Sequence, residues 1–252
     1  MILLSALNPS AWTGPTGNNT YLFPGRVPAL IDAGVGKPEH VEAIARELAG
    51  QALALVLLTH GHSDHASGVP TLVARWPSLR VRQFGTGDDP IQPDEVIQAG
   101  DSTLLPIHTP GHSPDHCCFN AGDEIFCGDL AQAGNTIVIP ASRGGDLAQY
   151  LESLRKVRAL RPRRLWPGHG PAIEHPDALI DDYIRHRTSR ERQIVEALQA
   201  GCANPDEIVA RMYKGLAPAL ISAARENVLA HLIKLKNEGL AVESDGAWTT
   251  VA

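Results

Sequence analysis

The chain has 252 residues, which allows one large domain or a medium-sized domain with a small appendage. Hydrophobic residues make up 43% of the sequence and charged residues 20%, so the composition predicts a packed core and excludes collagen-like, coiled-coil and disordered chains. The 22 Lys and Arg residues against 28 Asp and Glu residues give a net charge of −6, which argues against a generally basic nucleic-acid-binding surface.

The first 176 residues alternate short apolar runs with amphipathic segments, separated by Gly, Pro, Asn and Asp. Strands are predicted at 21–23, 29–32, 52–58, 104–108, 116–119, 124–127, 136–139 and 165–166. Helices are predicted at 38–49, 64–76 and 146–159. Strands interleaved with helices, with hairpins among them, predict a layered α/β (α+β) domain over residues 1–176.

The sequence becomes mostly helical after residue 176. Helices are predicted at 177–199, 205–213 and 219–236, followed by a hairpin that turns at Asp245–Gly246. This element order predicts a small winged-helix-like domain over residues 177–252. From residue 191 onward six basic side chains stand against eight acidic ones, a net of −2. That balance favours packing or homodimerisation of this domain over binding to phosphates.

Cysteine usage and the lack of long apolar runs predict a cytoplasmic protein. Cys117, Cys118, Cys127 and Cys202 fit neither a disulfide framework nor a Cys-x-x-Cys zinc site, so reduced cysteines are expected. The apolar N-terminal stretch has neither the basic leader nor the length of a signal peptide. No apolar run approaches the ~20 residues that cross a bilayer, so no membrane partner is expected.

The stretch HGHSDH contains four side chains that can bind a metal: His60, His62, Asp64 and His65. It directly follows the apolar run at 52–58, so it is expected in the loop at the carboxyl end of a buried strand. Alternating side chains in such a turn can converge on one point, and imidazole and carboxylate groups suit zinc and neighbouring divalent ions. The sequence therefore predicts a metal site here.

Three further candidate ligands stand where predicted strands run into loops, each beside a Gly. They are His112 in TPGHS, Asp129 in FCGDL and His169 in WPGHG. A neighbouring glycine lets the backbone turn sharply and brings a side chain close to an ion.

Five blocks in this order resemble the metallo-β-lactamase superfamily of dinuclear hydrolases: LIDAG with Asp32, HGHSDH, TPGHS, GDL and GHG. The resemblance spans roughly residues 18–170. It implies a four-layer αβ/βα sandwich whose site lies at one edge, between the two sheets. The start of the chain, the stretch HRTSRERQI and the C-terminal stretch ENVLAHLIKLKNEG are similar to the β-lactamase-like protein 2 branch.

The resemblance also implies roles for individual residues. Three histidines would bind one metal ion: His60, His62 and His112. A second ion would be bound by Asp64, His65 and His169. Asp129 would bridge the two ions, and Asp32 would fix the orientation of a ligand through a hydrogen bond. Zinc is the first expectation for both ions, with manganese and iron(II) as alternatives.

Such a pair of ions predicts a hydrolase in which a bridging hydroxide attacks carbon or phosphorus, with Asp64 and Asp129 in the catalytic centre. Because the β-lactamase-like protein 2 branch includes single-strand-specific endoribonucleases, the leading hypothesis is phosphodiester cleavage of single-stranded RNA. The alternative is an acyl hydrolase acting on a small thioester, lactone or, weakly, a β-lactam. A second alternative is a non-enzymatic winged-helix binding protein that the metal only stabilises.

Substrate contacts are predicted at three residues. Arg161 and Arg163 belong to a basic cluster at 155–164 that precedes the PGHG loop, and such a cluster could attract a polyanion. Asn19 precedes a strand near the expected site, with Asn18 and Thr20 as neighbours that could serve the same role or form a turn. His116 is interpreted as a hydrogen-bonded strand histidine, with support of the site as the alternative.

Overall fold

The computed structural model describes residues 1–251, and the strands in this range form two five-stranded sheets and one hairpin. The first sheet has the order β1-β2-β3-β4-β5. Its strands are β1 Ile2–Ser5, β2 Asn19–Phe23, β3 Ala29–Ile31, β4 Leu55–Leu57 and β5 Arg80–Arg82. The first three strands pair antiparallel, while β3, β4 and β5 run parallel.

The second sheet has the order β10-β9-β8-β7-β6. Its strands are β6 Ile97–Ala99, β7 Ser102–His108, β8 Cys117–Asn120, β9 Glu124–Gly128 and β10 Arg164–Pro167. The neighbouring strands from β6 to β9 pair antiparallel, and β10 pairs parallel with β9. The carboxyl ends of β9 and β10 therefore meet at one edge of the sheet.

Helices cover the outer faces of the two sheets. The helices of the first 176 residues are α1 Pro38–Glu47, α2 Ser63–Ala66, α3 Val69–Arg75 and α4 Leu147–Ala159. The C-terminal part contains α5 Pro176–Gln199, α6 Pro205–Met212, α7 Ile221–Asn237 and the hairpin β11 Ala241–Ser244 with β12 Ala247–Thr250. Among the described residues, no helix is both long enough and apolar enough to cross a membrane.

Three hydrophobic cores lie between the four layers of helices and sheets. Alternation along β2 explains the arrangement, since Tyr21 and Phe23 pack between the two sheets while Leu22 packs towards the helix α1. On the far side, α4 and the first half of α5 cover the second sheet through residues such as Leu154 and Tyr183. The sequence of layers is helix, sheet, sheet, helix, as the predicted αβ/βα sandwich requires.

The long helix α5 packs on two cores. Ile180 and Tyr183 belong to the core of the second sheet, whereas Ile194 and Leu198 pack with α6, α7 and the hairpin. The predicted division at residues 176 and 177 falls at the beginning of this shared helix. That boundary, with domains 1–176 and 177–252, stays a prediction.

Two predicted elements differ from the structure. The single helix predicted at 64–76 is broken into α2 and α3, because the backbone N–H of Gly68 donates a 2.9 Å hydrogen bond to the Gly34 carbonyl in the loop after β3 and not to the preceding helical turn. The strand predicted at 136–139 is an extended segment outside the sheet ladders of residues 1–251. The short strands β1, β5 and β6 were not predicted, since three or four residues carry little periodic signal.

Candidate metal centre

The seven side chains predicted to bind metal all lie at the carboxyl ends of strands. His60, His62, Asp64 and His65 follow β4 in the loop that enters α2. The other three follow β7, β9 and β10, and they are His112, Asp129 and His169. Since both sheets present these ends at the same edge of the sandwich, residues distant in sequence meet there.

Three histidine side chains form the first group. The Nδ1 atom of His62 lies 3.0 Å from Nε2 of His60 and 2.8 Å from Nε2 of His112. All three ligand atoms lie within 4.8 Å of one another. Their ring nitrogens therefore face a common point.

A second group joins Asp64, His65 and His169. The Asp64 Oδ2 atom lies 3.5 Å from Nε2 of His65 and 3.4 Å from Nε2 of His169. Asp129 stands between the two groups, because its Oδ1 atom lies 3.4 Å from Nε2 of His65 while its Oδ2 atom lies 3.5 Å from Nε2 of His112. Each oxygen of this carboxylate thus faces a different group.

These residues fit divalent cations on two observations. Ligands about 2.0–2.1 Å from a tetrahedral ion lie about 3.3 Å from each other, which is close to the 3.3–3.5 Å spacings of the second group and Asp129 and slightly more than the 2.8 Å and 3.0 Å of the first group. In addition, His65 Nε2 and Asp129 Oδ1 are buried and have no hydrogen-bond partner among the described residues. Buried polar atoms without a partner are costly, and an ion between them would remove that cost.

Asp32 orients one of these histidines. The Nδ1 atom of His65 donates a hydrogen bond of 2.7 Å to Asp32 Oδ2, which leaves Nε2 facing the cluster. The Asp32 carboxylate is held in turn by the backbone N–H and the hydroxyl of Thr59, at 2.8 Å and 2.9 Å. The structure therefore places Asp32 behind a ligand candidate, in the position that the resemblance implies.

Burial and the carboxylates divide the histidines into two electrostatic classes. Burial, together with the nearby His65 and His112, lowers the pKa of His60 well below its usual value, so its imidazole is neutral and can bind a cation. Burial also acts to lower the pKa of His169, but the charges of Asp129 and Asp64 raise it to about 9. The negative potential that stabilises a proton on His169 would equally stabilise a divalent ion.

Several groups contact the cluster although they are not among the seven ligand candidates. Asn18 donates a hydrogen bond of 3.1 Å to Asp64 Oδ2. His116, interpreted as a strand histidine, accepts a 3.1 Å hydrogen bond from the backbone N–H of Asp129. The tight path of the chain is visible at Gly168, where a Cβ would lie 2.7 Å from the His65 ring. The sequence had indicated two of these supports, Asn18 in the stretch GNNT and, as an alternative interpretation, His116.

The structure gives Asn19 a different place from the predicted one. Its side-chain amide is buried and donates to the backbone carbonyls of Pro167 and Gly170, at 2.9 Å and 2.8 Å. These bonds fix the loop that carries His169. Asn19 therefore supports that loop, and its contact with a substrate stays a prediction.

Arg161 and Arg163 are not brought to the cluster. Both are exposed and lie before β10, whereas His169 lies after it, so the length of the strand, roughly 13 Å, separates them. Arg163 forms ion pairs with Asp123 and Glu124 at the beginning of β9. Proximity in sequence was misleading because the intervening residues form an extended strand.

Family models match most of the chain. Residues 13–82 and 81–169 match the model described as "Metallo-beta-lactamase superfamily", and residues 205–248 match "Beta-lactamase associated winged helix domain". The chain belongs to the metallo-β-lactamase superfamily and carries this winged helix at its C-terminal end. Members of the superfamily generally bind divalent metals, and this similarity favours a hydrolase over a non-enzymatic binding protein.

Curated relatives cover different shares of the chain. The "Beta-lactamase-like protein 2 homolog" of Drosophila melanogaster is 34% identical over 268 residues, covering 95% of this chain and 88% of that protein. The "Lactamase-like protein nscB" of Trichophyton rubrum is 39% identical over 191 residues, covering 72% of this chain and 58% of that protein. The match thus spans less than two thirds of the fungal protein.

A solved structure shares the whole architecture. A metallo-beta-lactamase family protein from Thermus thermophilus superposes with a TM-score of 0.83 and covers 99% of this chain and 98% of its own. The sequence identity is 18%, so this likeness concerns the fold alone.

Proposed function

We propose that the protein hydrolyses its substrate with two divalent ions, one held by His60, His62 and His112 and the other by Asp64, His65 and His169. The observation that carries this proposal is the position of Asp129, whose two carboxylate oxygens face the two groups separately. A single closed ion would need only three or four of these seven side chains. A bridging carboxylate between two open groups is the arrangement of a catalytic metal pair.

When bound, the ions would lower the pKa of a water molecule and stabilise the negative charge that develops on the attacked group. The residues of the chain prepare the site for this chemistry. Asp32 fixes the ring of His65, and burial of His60 keeps its imidazole unprotonated and able to bind. Asp129 and Asp64 contribute the negative charge that offsets part of the charge of the cations.

We assign the ions to zinc first, with manganese or iron(II) as alternatives. The two groups together contain five imidazole rings and one carboxylate, Asp129 adds a second carboxylate between them, and no sulfur ligand is among these seven residues. Imidazole suits zinc and iron, whereas the carboxylates also allow manganese.

For the substrate, we place a small acyl ester, thioester or lactone ahead of single-stranded RNA. The charge distribution supports this order, because Arg163 and Arg164 form ion pairs with acids at the amino end of β10, and the metal centre lies at its carboxyl end. Arg163 pairs with Asp123, and Arg164 pairs with Glu174. A polyanion gains its binding energy from free basic groups beside the site, and the paired arginines do not supply them.

RNA cleavage remains the second candidate, because two metal ions also suit in-line displacement at phosphorus. A role of residues 177–252 in homodimerisation and a cytoplasmic location also stay predictions. β-Lactam hydrolysis is proposed only as a weak side activity of the acyl hydrolase.

The test is to measure the metal content of the purified protein and to compare turnover of a thioester, a lactone, a chromogenic cephalosporin, bis-p-nitrophenyl phosphate and single-stranded RNA. We expect about two ions per chain, loss of activity with a chelator and its return on adding zinc or manganese. Faster turnover of RNA than of the esters would reverse the order of substrates. One tightly held ion per chain, with no activity on any substrate, would refute the two-metal proposal.

A further inference from the structure

The extended segment Ile137–Ile139 lies between the metal centre and the C-terminal helices. Its central carbonyl, that of Val138, accepts a 2.7 Å hydrogen bond from Nδ1 of His112. That bond leaves Nε2 of His112 directed at the cluster, where it lies 2.8 Å from His62 Nδ1. The position of the Val138 carbonyl therefore decides how the His112 ring is turned.

Two side chains of the C-terminal helices make hydrogen bonds to the backbone of this segment, as a neighbouring strand would do. Arg187 of α5 donates a hydrogen bond to the carbonyl of Ile137. Asn227 of α7 accepts a 3.0 Å hydrogen bond from the backbone N–H of Ile139. The same Asn227 oxygen accepts a 3.1 Å bond from the Arg187 guanidinium, so the two side chains form one clamp. The clamp therefore binds the backbone of the residues before and after Val138.

The surroundings of Arg187 make this clamp rigid. The side chain is only 2% exposed, and its guanidinium lies 5.6 Å from the centre of the Tyr150 ring. Tyr150 in turn donates a 2.7 Å hydrogen bond to the carbonyl of Leu130, which follows Asp129 directly. A buried guanidinium is tolerated only where acceptors and a ring face surround it, so it has few alternative positions.

We propose that Arg187 and Asn227 are positioning residues of the metal centre, which act on His112 through the Ile137–Ile139 backbone. They lie in the C-terminal stretches HRTSRERQI and ENVLAHLIKLKNEG, outside the segment that contains the seven ligand candidates. The C-terminal helices thus form part of the site, in addition to any role in binding a partner. This inference rests on the proposed role of His112 as a metal ligand.

A purely structural role for the clamp would predict a different result. If Arg187 and Asn227 only attach α5 and α7 to the sandwich, their loss should lower stability in the same way as any other lesion in the C-terminal core. If they position His112, their loss should change metal binding beyond its effect on stability.

The test compares the full-length variants Asn227→Leu and Asn227→Asp. Leucine removes the acceptor, whereas aspartate keeps an oxygen for both Ile139 N–H and Arg187. We expect Asn227→Leu to weaken binding of the Zn²⁺ ion assigned to His60, His62 and His112 by about tenfold or more in competition with a chromophoric chelator. It should also change the visible absorption bands of the Co²⁺-loaded protein, which respond to ligand geometry. Asn227→Asp should stay within about threefold of the unaltered protein.

Ile208→Ala is the matched control, since Ile208 is fully buried in the C-terminal core and is not part of the clamp. We expect it to lower the melting temperature while leaving the Zn²⁺ affinity and Co²⁺ spectrum unchanged. Equal losses of affinity in Ile208→Ala and Asn227→Leu would overturn the positioning role, as would an unchanged affinity and spectrum in Asn227→Leu. If Asn227→Leu does not fold, Arg187→Lys takes its place, because lysine keeps the charge but not the two-donor geometry.

The outcome separates this inference from the proposed function. Failure of the unaltered protein to bind Zn²⁺ or Co²⁺ would remove the proposed function itself. Normal binding by that protein, with unchanged binding in the clamp variants, would remove only the positioning role.

Discussion

The two ends of the adjacent strands β9 and β10 both carry a dense group of charged side chains, yet they differ in kind. At the carboxyl end stand Asp129 and His169, within a buried cluster of histidines and carboxylates. At the amino end, Arg163 forms ion pairs with Asp123 and with Glu124 close to solvent. The same two strands thus present a candidate metal centre at one end and an ion-pair network at the other.

Burial and the absence of internal partners separate the two ends. Asp129 Oδ1 is buried and has no hydrogen-bond partner in residues 1–251, whereas the Asp123 carboxylate is 66% exposed and accepts a 2.8 Å bond from Arg163. An exposed ion pair contributes little to stability, and its two charges neutralise each other without a bound metal ion. A high density of charged residues is therefore a weak indicator of a site, and buried ligand atoms without partners are a strong one.

The same substitution at the two ends of β9 gives the largest expected contrast. We expect Asp129→Asn to lower kcat on the order of 10³-fold or more and to reduce the bound metal, because it removes the charge that faces both groups. Asp123→Asn should leave kcat and metal content within about twofold, since its partner is a solvated arginine. Metal analysis and steady-state kinetics of both variants test the contrast, and similar losses in the two would contradict it.

A smaller effect is expected at Asp32, which touches the cluster only through His65. Replacing Asp32 with Asn keeps an oxygen but removes the charge that holds the proton on Nδ1 of His65. We expect metal affinity to fall about 10–100-fold, as is typical when a hydrogen-bond partner of a ligand is changed. Isothermal titration with Zn²⁺ measures this change. An affinity equal to that of the unaltered protein would show that Asp32 does not orient His65.

His40 is a buried histidine outside the metal centre, so it shows what burial does to a histidine that is not a ligand candidate. It lies in α1 and bonds to the Thr20 hydroxyl, outside the ligand groups, and burial lowers its pKa to about 4. Because the unfolded chain takes up this proton near pH 6.5, stability is lost as the pH falls from 6.5 towards 4.

We expect His40 to account for about 2 kcal/mol of the unfolding free energy lost between high pH and pH 5. His40→Gln should therefore flatten the dependence of stability on pH in this range, without changing metal content. Urea unfolding of the metal-free proteins at pH 7 and pH 5 makes the comparison. The same pH dependence in both proteins would be incompatible with a neutral buried His40.

The smallest effect is expected at the amino end of β10. The double variant Arg161→Ala with Arg163→Ala should change kcat/KM by less than about twofold and leave its salt dependence unaltered, because neither side chain reaches the cluster. Rates on an ester and on single-stranded RNA at several salt concentrations provide the measurement. A flatter salt dependence with RNA would restore the basic cluster as a substrate-binding surface.

The structure brings the seven ligand candidates together, and the sequence signals that pointed to them are local. Each candidate follows a predicted strand and stands beside glycine or within the compact stretch HGHSDH, so its place near a strand end could be inferred without the fold. The contacts that support them had no such signal. His116 and Asn18 contact Asp129 and Asp64 only because strands distant in sequence meet at one edge.

The segment at 136–139 shows a different limit. Its alternation of Ile137 and Ile139 is a genuine burial pattern, since both side chains lie in the core. The pattern identifies the two buried side chains, but the predicted strand is wrong, because burial does not tell what satisfies the backbone. Arg187 and Asn227 supply the hydrogen bonds that a neighbouring strand would have made.

By itself the sequence determined the set of candidate ligands and the change to a helical C-terminal part, because periodicity and glycine-flanked polar residues are local features of the chain. The order of layers followed only from the resemblance of the motifs to the metallo-β-lactamase superfamily. Only the tertiary structure decided which end of a strand a charged residue occupies, which acid neutralises which arginine, and that the C-terminal helices reach the centre. These features depend on contacts between residues far apart in sequence, such as Arg187 and Ile137. No local pattern contains that information, because such contacts form only when the layers pack.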